Sequence, residues 1–450
     1  MKDSAVADAW GERMPRSVGL LQTVAISVGV TIGSGIFRVP ATVAGQLQSP
    51  GPMLVCWVLG GLVALCGALS IAELAGALPR SGGVFAYLLE AYGPLPAFLF
   101  GWTELVVVRA AALGATSTIF AEYLGYFWPL SAAQVRYVAA AAIAAIGAIN
   151  YLGVQRAASL QSAATALKYA ALMALGVLAF TARGGSVAHF TSAPWGGGLS
   201  VSLLATALIP VLWTYDGWAD PASVAGEIRD PQRNLPRALI AGALCVMLVY
   251  LLVNVGFLYA LAPAQMAGSR LIAATVAERV PLLGAAGAGV IAAAVVLAAF
   301  SGLNGSMLTG SRIFFAMADR GLFFRVVARV SPRFHSPSVA IALATVLGIA
   351  YVLENDFAQL ADKFVLGIWP FYALGVGAVF VLRRTRPQLP RPYRVWGYPL
   401  VPLVFLLASA LMVGNALITD PHNTGITFLI ILAGIPVYWV RAWLRRSRAP

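Results

Sequence analysis

The chain has 450 residues, of which 60% are hydrophobic and only 10% are charged. A soluble domain carries about 25% charged residues, so this composition excludes an ordinary soluble protein and predicts an integral membrane protein that crosses the bilayer several times. The formal net charge of +13 would suit nucleic acid, but most of the basic residues fall in alternate connections between apolar runs. That bias orients a membrane protein, and it predicts that both termini lie in the cytoplasm.

Twelve apolar runs are long enough to span a bilayer, which needs about 20 residues each. The first run is too long for a cleavable signal peptide and is followed by further spans. The connections are short, which predicts no sizeable soluble domain, and the longest of them, Ser311 to Pro337, is predicted to be amphipathic and interfacial. The runs are 18–42, 52–78, 95–120, 135–152, 158–181, 201–222, 237–262, 284–308, 338–354, 364–383, 399–418 and 424–443.

The first run contains a stretch that a helix tolerates poorly, the sequence GSG at 33–35, preceded by Gly29 and Thr31. Glycine costs roughly 1 kcal/mol against alanine inside a helix, so two glycines around a serine favour local unwinding. Unwound backbone at membrane depth is tolerated where it lines a polar cavity or is buried in protein. The alternative interpretation is a helix-packing face formed by Gly29 and Gly33.

The sixth run carries a second break. Pro210 removes a backbone donor, Gly217 loosens the helix, and Asp216 places a carboxylate in mid-membrane, where it costs on the order of 3 kcal/mol on insertion scales. Two interpretations stay open for Asp216, a cap on the lower half of the broken helix and a part of a substrate pocket. Trp213 and Trp218 bracket it, either to close over a ligand or simply to pack.

The two breaks occupy matching positions in two halves of the chain. The offset between Ser34 and Gly217 also relates the second span to the seventh and the third to the eighth. Five spans per half give units of opposite orientation, which predicts an all-α polytopic fold of twelve helices with a 5+5 inverted-repeat core and discontinuous helices one and six. We predict a tail at 1–17, a core at 18–383 with repeats 18–181 and 201–383, and a final part at 384–450 that holds helices eleven and twelve.

Two further charges lie inside apolar runs. Lys168 is deep in the fifth span, which is costly for an isolated ammonium, unless it snorkels to the cytoplasmic face. Arg109 follows Glu104 by five residues, a spacing that does not stack two side chains on one face of an α-helix, although long side chains can still meet.

The cysteine and histidine positions argue against a metal site, a cofactor or an enzyme. The three cysteines all lie in apolar runs, and the three histidines lie in loops outside the spans. Ser34 therefore has no histidine to activate it. These residues are Cys56, Cys66, Cys245, His189, His335 and His422.

Several ungapped motifs in order resemble the amino acid–polyamine–organocation superfamily, and within it the L-type amino acid transporter branch. The resemblance covers the chain almost from end to end. The motifs are GSGIF at 33–37, AELAGALPRSGGVFAYLLEAYG at 72–93, YDGW at 215–218, GEIRDPQRNLPRAL at 226–239, GSRIFFAMADRGLFF at 310–324, HSPSVAI at 335–341 and RPYRVWGYPLVP at 391–402.

The resemblance implies transport by alternating access, with an amino acid bound between helices one and six. The backbone amides of Ser34 and Gly35, beside Gly33, would hold the substrate carboxylate. Carbonyl groups near Thr31 and Trp213 would receive its ammonium group. Trp213 would close over the substrate as the gating aromatic. The residues implied to shape the side-chain pocket are Thr214, Asp216 and Gly217.

The resemblance also implies roles for residues outside the two breaks. Lys168 would replace the sodium ion of related symporters by bridging spans one and eight, so sodium dependence is not expected. Arg109 would be structural or gating, Val108 together with Val107 would line the pocket, and Tyr215 would belong to the pocket or gate.

These implications predict a sodium-independent exchanger of neutral L-amino acids, small or medium in size, in the inner membrane. The loop at 122–134 has no cysteine, so no disulfide-linked heavy subunit is expected. A proton-coupled permease, in which Lys168 or Asp216 carries the proton, stays open as an alternative. An amino acid-sensing receptor is an alternative of another class, against which the short tails argue.

Overall fold

The computed structural model describes residues 18–79, 82–152, 168–191, 200–284, 286–319, 321–329 and 336–446, together with Arg16 and Ser331. Within these ranges nearly all regular structure is helical, and the β-type pairing is confined to one isolated bridge between Val18 and Ile228. The predicted all-α class is therefore confirmed for the described part of the chain.

The first half of the chain provides seven helices, with a 3₁₀ turn at Gly35–Phe37 between the first two. Helix α5 contains a π-helical segment at Glu104–Val108. The helices are α1 (Leu20–Thr31), α2 (Val39–Leu47), α3 (Pro50–Ala77), α4 (Val84–Tyr92), α5 (Pro94–Leu124), α6 (Ala132–Tyr151) and α7 (Lys168–Thr181).

The second half provides ten helices, with a 3₁₀ helix at Asp220–Glu227 after the first. They are α8 (Val201–Tyr215), α9 (Pro231–Ala260), α10 (Pro263–Ala267), α11 (Ile272–Arg279), α12 (Gly287–Asp319), α13 (Ser338–Glu354), α14 (Phe357–Thr385), α15 (Leu400–Thr419), α16 (Pro421–Leu432) and α17 (Gly434–Arg446). Residues 158–167 of the predicted fifth span and parts of the predicted interfacial segment at 311–337 lie outside the described residues.

Eight helical stretches of the described chain are long and apolar enough to cross a membrane. Four shorter apolar helices accompany them, namely α1, α7, α8 and α13. The prediction of a multi-pass membrane protein is thereby confirmed, whereas the count of twelve spans and the inverted repeat stay predictions. The eight stretches are α3, α5, α6, α9, Gly287–Met307 of α12, α14, α15 and Pro421–Arg441.

Both predicted breaks are present. Helix α1 ends at Thr31, and regular helix resumes in α2 only at Val39. Helix α8 ends at Tyr215, and Gly217 adopts φ +110° before the 3₁₀ helix, a backbone conformation that favours glycine because it has no Cβ. Pro210 is accommodated inside α8.

Helix α9 packs along α1 and α3, and α8 packs against α2, α3 and α14. These contacts bring the end of α1 and the end of α8 into the middle of the bundle.

A buried carboxylate holds the loop between α14 and α15 against α3. Glu73 is 1% exposed and accepts hydrogen bonds from Arg383 Nε at 2.8 Å and from the backbone amide of Val395 at 2.8 Å. Arg391 Nε lies 3.3 Å from the same carboxylate. A buried charge is stable only when it is paired and hydrogen-bonded, and these partners meet that requirement.

Candidate functional site

The two breaks touch each other. A Cβ atom at Gly217 would lie 3.0 Å from the Cα atom of Thr31, so the backbone of the second break rests directly on the end of α1. A Cβ atom at Gly35 would lie 2.8 Å from Trp213 Cζ3 and 3.0 Å from Thr214 Oγ1. Glycine is favoured at position 217 because its φ is positive and backbone atoms lie close, whereas a Cβ at position 35 would force the side chain of Trp213 or Thr214 to shift. The fold thus brings together the predicted residues of the two separate motifs.

A tyrosine on α9 joins the breaks. The hydroxyl group of Tyr250 lies 3.0 Å from the carbonyl oxygen of Thr31 and 3.0 Å from that of Thr214. It has one proton to share between the two acceptors, and its side chain is fully buried. The sequence analysis did not identify Tyr250 as a site residue. The signal that could have identified it is its polar hydroxyl group in the middle of the seventh apolar run.

The Thr31 carbonyl oxygen also accepts a hydrogen bond from the Gly33 amide at 2.8 Å. A carbonyl oxygen has two lone pairs, so both lone pairs of Thr31 are engaged when the Tyr250 proton points to it rather than to Thr214. The Trp213 carbonyl accepts from the Asp216 amide at 3.3 Å and has capacity for a second donor. That carbonyl groups near these two positions receive a substrate ammonium stays a prediction.

The GSG segment begins the 3₁₀ turn. The carbonyl groups of Ser34 and Gly35 accept from the amides of Phe37 and Arg38. The amides of Ser34 and Gly35 themselves lie at the start of the turn, where the first N–H groups of a helix have no intrahelical acceptor. This arrangement is compatible with the predicted contact between these amides and a carboxylate.

Asp216 is held by α14. Its Oδ1 atom accepts a hydrogen bond from the Tyr372 hydroxyl at 2.8 Å. The 3₁₀ helix that follows the break has Ala219 as its N-terminal cap and no side-chain cap. Of the two interpretations of Asp216, the structure therefore gives no support to the cap, and it places the carboxylate between α8 and α14.

The two tryptophans of the second break differ in their surroundings. Trp218 is 1% exposed, and its ring packs 4.9 Å from that of Tyr372 and 5.8 Å from that of Phe405. Trp213 is half-buried, and its ring meets Phe357 edge-on at 5.4 Å. The packing interpretation therefore holds for Trp218, while Trp213 keeps the accessibility that a gating aromatic needs.

Tyr215 points toward α3 rather than toward the GSG segment. Its hydroxyl donates to the carbonyl oxygen of Trp57 at 3.1 Å, and its ring packs against those of Trp57 and Tyr250 at 5.9 and 5.0 Å. Tyr215 therefore packs against the ring of Tyr250 and supports its position. The expected role of Tyr215 in the pocket or gate stays a prediction.

Glu104 and Arg109 meet as an ion pair, with Arg109 Nη2 at 3.1 Å from Glu104 Oε2. The π-helical segment between them explains the contact, because its i→i+5 hydrogen bond from the Arg109 amide to the Glu104 carbonyl oxygen brings these two residues close together. Arg109 Nη1 donates to Ser306 Oγ at 2.9 Å. The guanidinium group thereby links α5 to α12, which agrees with a structural or gating role.

Val107 and Val108 occupy the same π-helical segment and are buried. A Cβ atom at Gly367 of α14 would lie 3.0 Å from Val107 and 3.1 Å from Val108. Both valines therefore pack closely against α14, and their contact with substrate stays a prediction.

Lys168 is 4% exposed, which excludes snorkelling to an aqueous face in this conformation. Its Nζ atom lies 3.4 Å from the carbonyl oxygen of Gly29 on α1 and 5.3 Å from the ring of Tyr169. The predicted link to the first span is thus present, and the link to the eighth span stays a prediction. Gly29 also allows Tyr169 to approach, since a Cβ atom there would lie 3.1 Å from its hydroxyl.

Comparison with known proteins identifies the family to which the chain belongs. The family model described as amino acid permease matches residues 18–440. The chain is 32% identical to the b(0,+)-type amino acid transporter 1 of Mus musculus, over 97% of this chain and 91% of that protein. It is 30% identical to the serine/threonine exchanger SteT of Bacillus subtilis, over 95% of this chain and 97% of that protein.

A third relative is the cystine/glutamate transporter of Homo sapiens, which is 30% identical over 95% of this chain and 85% of that protein. The resemblance seen in the motifs is confirmed by these matches. The family and these relatives are transporters rather than enzymes. The chain is a multi-pass membrane protein of the amino acid permease family, within the amino acid–polyamine–organocation superfamily.

Proposed function

We propose that the chain is a sodium-independent exchanger of neutral L-amino acids that works by alternating access in the cytoplasmic membrane. The observation that carries the proposal is the contact between the two helix breaks, which Tyr250 fastens through the carbonyl groups of Thr31 and Thr214. Discontinuous helices that meet at the membrane midplane form the binding sites of many secondary transporters.

A zwitterion suits this site because it needs donors at one end and acceptors at the other. In our proposal the amides of Ser34 and Gly35, with Gly33 between them and α1, bind the carboxylate group. Unwound carbonyl groups at the ends of α1 and α8 bind the ammonium group. Two broken helices supply both sets of partners without burying an additional charged side chain.

The side chain of the substrate would face the second break. Trp213 would close over the substrate, because it is half-buried and stands against Gly35. Thr214, Asp216 and Gly217 would shape the side-chain pocket. The fixed contact between Asp216 and Tyr372 gives that pocket a polar wall.

Sodium independence rests on Lys168. Its buried ammonium group lies next to the Gly29 carbonyl oxygen in the last turn of α1 and would supply there the positive charge that a sodium ion supplies in related symporters. Exchange is supported by the relative that is itself named a serine/threonine exchanger.

The membrane arrangement is part of the proposal. Twelve spans, a 5+5 inverted repeat and cytoplasmic termini account for the placement of the basic residues. We propose that the chain works without a disulfide-linked heavy subunit. The three cysteines Cys56, Cys66 and Cys245 lie in α3 and α9, remote in sequence from the loop after α5.

A proton-coupled amino acid permease is the second candidate of the same class. The half-buried Asp216 and the buried Lys168 favour it, since each is a titratable group inside the bundle. A receptor that binds an amino acid without moving it is the candidate of another class.

Counterflow in proteoliposomes tests these candidates. Vesicles with purified protein are loaded with one unlabelled amino acid at a time, and uptake of labelled alanine or leucine is followed at fixed pH, in sodium and in choline. We expect stimulation by a limited set of internal neutral amino acids, equal in both salts. The negative control is the variant Gly217→Ala, reconstituted in equal amount. It differs from the parent protein only at the contact between the breaks, and we expect it to lose counterflow.

Other outcomes have distinct meanings. Uptake that needs an imposed proton gradient, with no stimulation by internal amino acids, would contradict exchange and favour the proton-coupled permease. Saturable binding with no flux under either condition would favour the receptor. Uptake in sodium alone would contradict the role of Lys168.

A further inference from the structure

An ion pair lies directly beyond the GSG segment. Arg38 precedes α2, and its Nε atom lies 2.9 Å from Glu122 Oε2 near the end of α5. Its Nη1 atom donates to Thr42 Oγ1 at 3.2 Å. The side chains of Arg38 and Glu122 are only 17% and 13% exposed. A shielded pair of this kind is less weakened by solvent than a surface ion pair.

The same guanidinium group contacts the aromatic residue on which Trp213 rests. Its central carbon lies 5.3 Å from the centre of the Phe357 ring, at the start of α14, within the range of a cation–π contact. The Phe357 ring in turn meets Trp213 edge-on, with ring centres 5.4 Å apart. A continuous series of contacts therefore leads from Glu122 through Arg38 and Phe357 to Trp213.

The neighbouring residues repeat the connection. Tyr123, next to Glu122, donates a hydrogen bond to the carbonyl oxygen of Phe37, next to Arg38, at 2.7 Å. The Tyr123 hydroxyl also accepts from the backbone amide of Ala273 in α11 at 3.3 Å. Two consecutive residues of one segment thus bind two consecutive residues of another, and a third helix joins them.

We propose that Arg38 is a positioning residue for Trp213 and that Arg38, Glu122 and Phe357 form a gate on the side of the site where α2 lies. This inference rests on the proposed transport function. In the conformation described here the gate is closed, since the ion pair draws α2 to α5 and the cation–π contact holds Phe357 over Trp213. Opening a path to the site from that side requires Arg38 to leave Glu122 and Phe357.

Arg38 is suited to this role because it contacts three separate elements of the fold. It is attached to the first break, it pairs with α5, and its flat face covers a residue of α14. A movement of any of the three elements therefore strains the contacts with the other two. A ligand or a rocking motion that favours the open state has to overcome all of them together.

Thiol labelling tests the gate without requiring transport. Ser34→Cys places a thiol behind the gate, and a membrane-impermeant maleimide is applied from the α2 side of oriented vesicles. Peptide mass spectrometry distinguishes position 34 from Cys56, Cys66 and Cys245. We expect labelling at position 34 to accelerate roughly fivefold in Arg38→Ala and in Glu122→Ala, as the loss of one partly shielded ion pair implies.

Two further variants separate a gate from a merely structural contact. The double variant Arg38→Glu with Glu122→Arg restores an ion pair but not the contact with Phe357. We therefore expect its labelling rate at position 34 to lie between that of the parent and those of the single variants. Arg386→Ala is the matched control, because Arg386 pairs with Glu90 in a more exposed place, and its labelling rate should equal that of the parent.

Counterflow supplies the second readout. If the gate holds the site closed, its loss shifts the population toward the state open on the α2 side. The KM measured from that side should fall and the KM from the opposite side should rise, with a smaller change in kcat. A structural defect alone would lower kcat on both sides alike.

Labelling rates and both KM values equal to those of Arg386→Ala would overturn the proposal, as would an exchanged pair that labels faster than either single variant. If Arg38→Ala fails to fold, Glu122→Gln removes the charge and keeps the shape. Absence of counterflow in the parent protein would refute the proposed transport function, while the labelling would still decide whether Arg38 and Glu122 shield Ser34.

Discussion

The hydroxyl group of Tyr250 lies 3.0 Å from the carbonyl oxygen of Thr31, at the residue where α1 ends. It lies equally far from the carbonyl oxygen of Thr214, one residue before α8 ends. Backbone oxygens released by a helix break need partners when they are buried. One side chain on a third helix therefore contacts both breaks, and its single proton is shared between their carbonyl oxygens.

The variant Tyr250→Phe should remove this connection and leave the ring in place. The carbonyl groups of Thr31 and Thr214 lose the one donor that they share, at a cost of about 1–3 kcal/mol. We expect counterflow to show a KM about tenfold higher, because the two halves of the site are no longer held at one distance. Kinetics and thermal unfolding of the purified variant measure the two effects.

Tyr215→Phe is the control for Tyr250→Phe. The Tyr215 hydroxyl is also buried and also donates to a carbonyl oxygen, that of Trp57, but it does not join the two breaks. We expect a similar loss of thermal stability and a smaller rise in KM, because Tyr215 packs against the Tyr250 ring but does not bond to Thr31. An equal rise in KM for both variants would refute the specific role of Tyr250.

Gly217→Ala should be severely damaging. The position has φ +110°, and the added Cβ would lie 3.0 Å from three atoms of Thr31. Strained backbone costs on the order of 1–3 kcal/mol, and relief requires the breaks to separate. We expect lower thermal stability together with loss of counterflow.

The matched control for this change is Gly414→Ala. Gly414 lies in α15, and no atom outside the local helix backbone lies within 4 Å of the Cβ that alanine would add there. Alanine is favoured over glycine inside a helix by about 1 kcal/mol, so this variant should be neutral or slightly stabilised and should exchange normally. Normal exchange by Gly217→Ala would show that the close contact with Thr31 is dispensable.

The breaks were predictable from sequence because glycine, proline and a carboxylate are conspicuous in apolar runs. Their partners were not. Tyr250 is indistinguishable from a packing residue until α9 is placed between α1 and α3. The ion pair between Glu104 and Arg109 depends on a π-helical segment, which no residue pattern in the sequence predicts. Arg38 and Glu122 are distant in sequence, and only the packed helices bring them together.

Lys168→Ala should weaken substrate binding roughly tenfold if the ammonium group holds α1 in its bound shape. Sodium should not restore the lost affinity, because alanine adds no oxygen ligand beside the Gly29 carbonyl oxygen and a hard cation needs several oxygen ligands. KM values in sodium and in choline test both points. Lys363→Ala is the control, because Lys363 of α14 lines a different cavity together with Thr206, Asp420 and Asn423. Unchanged affinity in Lys168→Ala would eliminate the proposed replacement of sodium.

Tyr372→Phe should alter selectivity rather than general binding. The hydroxyl group donates to Asp216 Oδ1 at 2.8 Å, and its loss leaves that carboxylate short of a donor and less fixed in direction. We expect KM values for substrates with different side chains to diverge, by about 1–2 kcal/mol in transition-state free energy, because their shared carboxylate and ammonium groups bind elsewhere. Competition of each amino acid against labelled alanine measures the change.

Tyr92→Phe is the matched control for Tyr372→Phe. The Tyr92 hydroxyl also bonds to α14, at the carbonyl oxygen of Leu374 across 3.0 Å, but it touches neither break. It should leave the order of preference among amino acids unchanged. A uniform change in all KM values in Tyr372→Phe would mean that the bond to Asp216 supports the site as a whole. In that case the side-chain pocket would have to be sought elsewhere than at the second break.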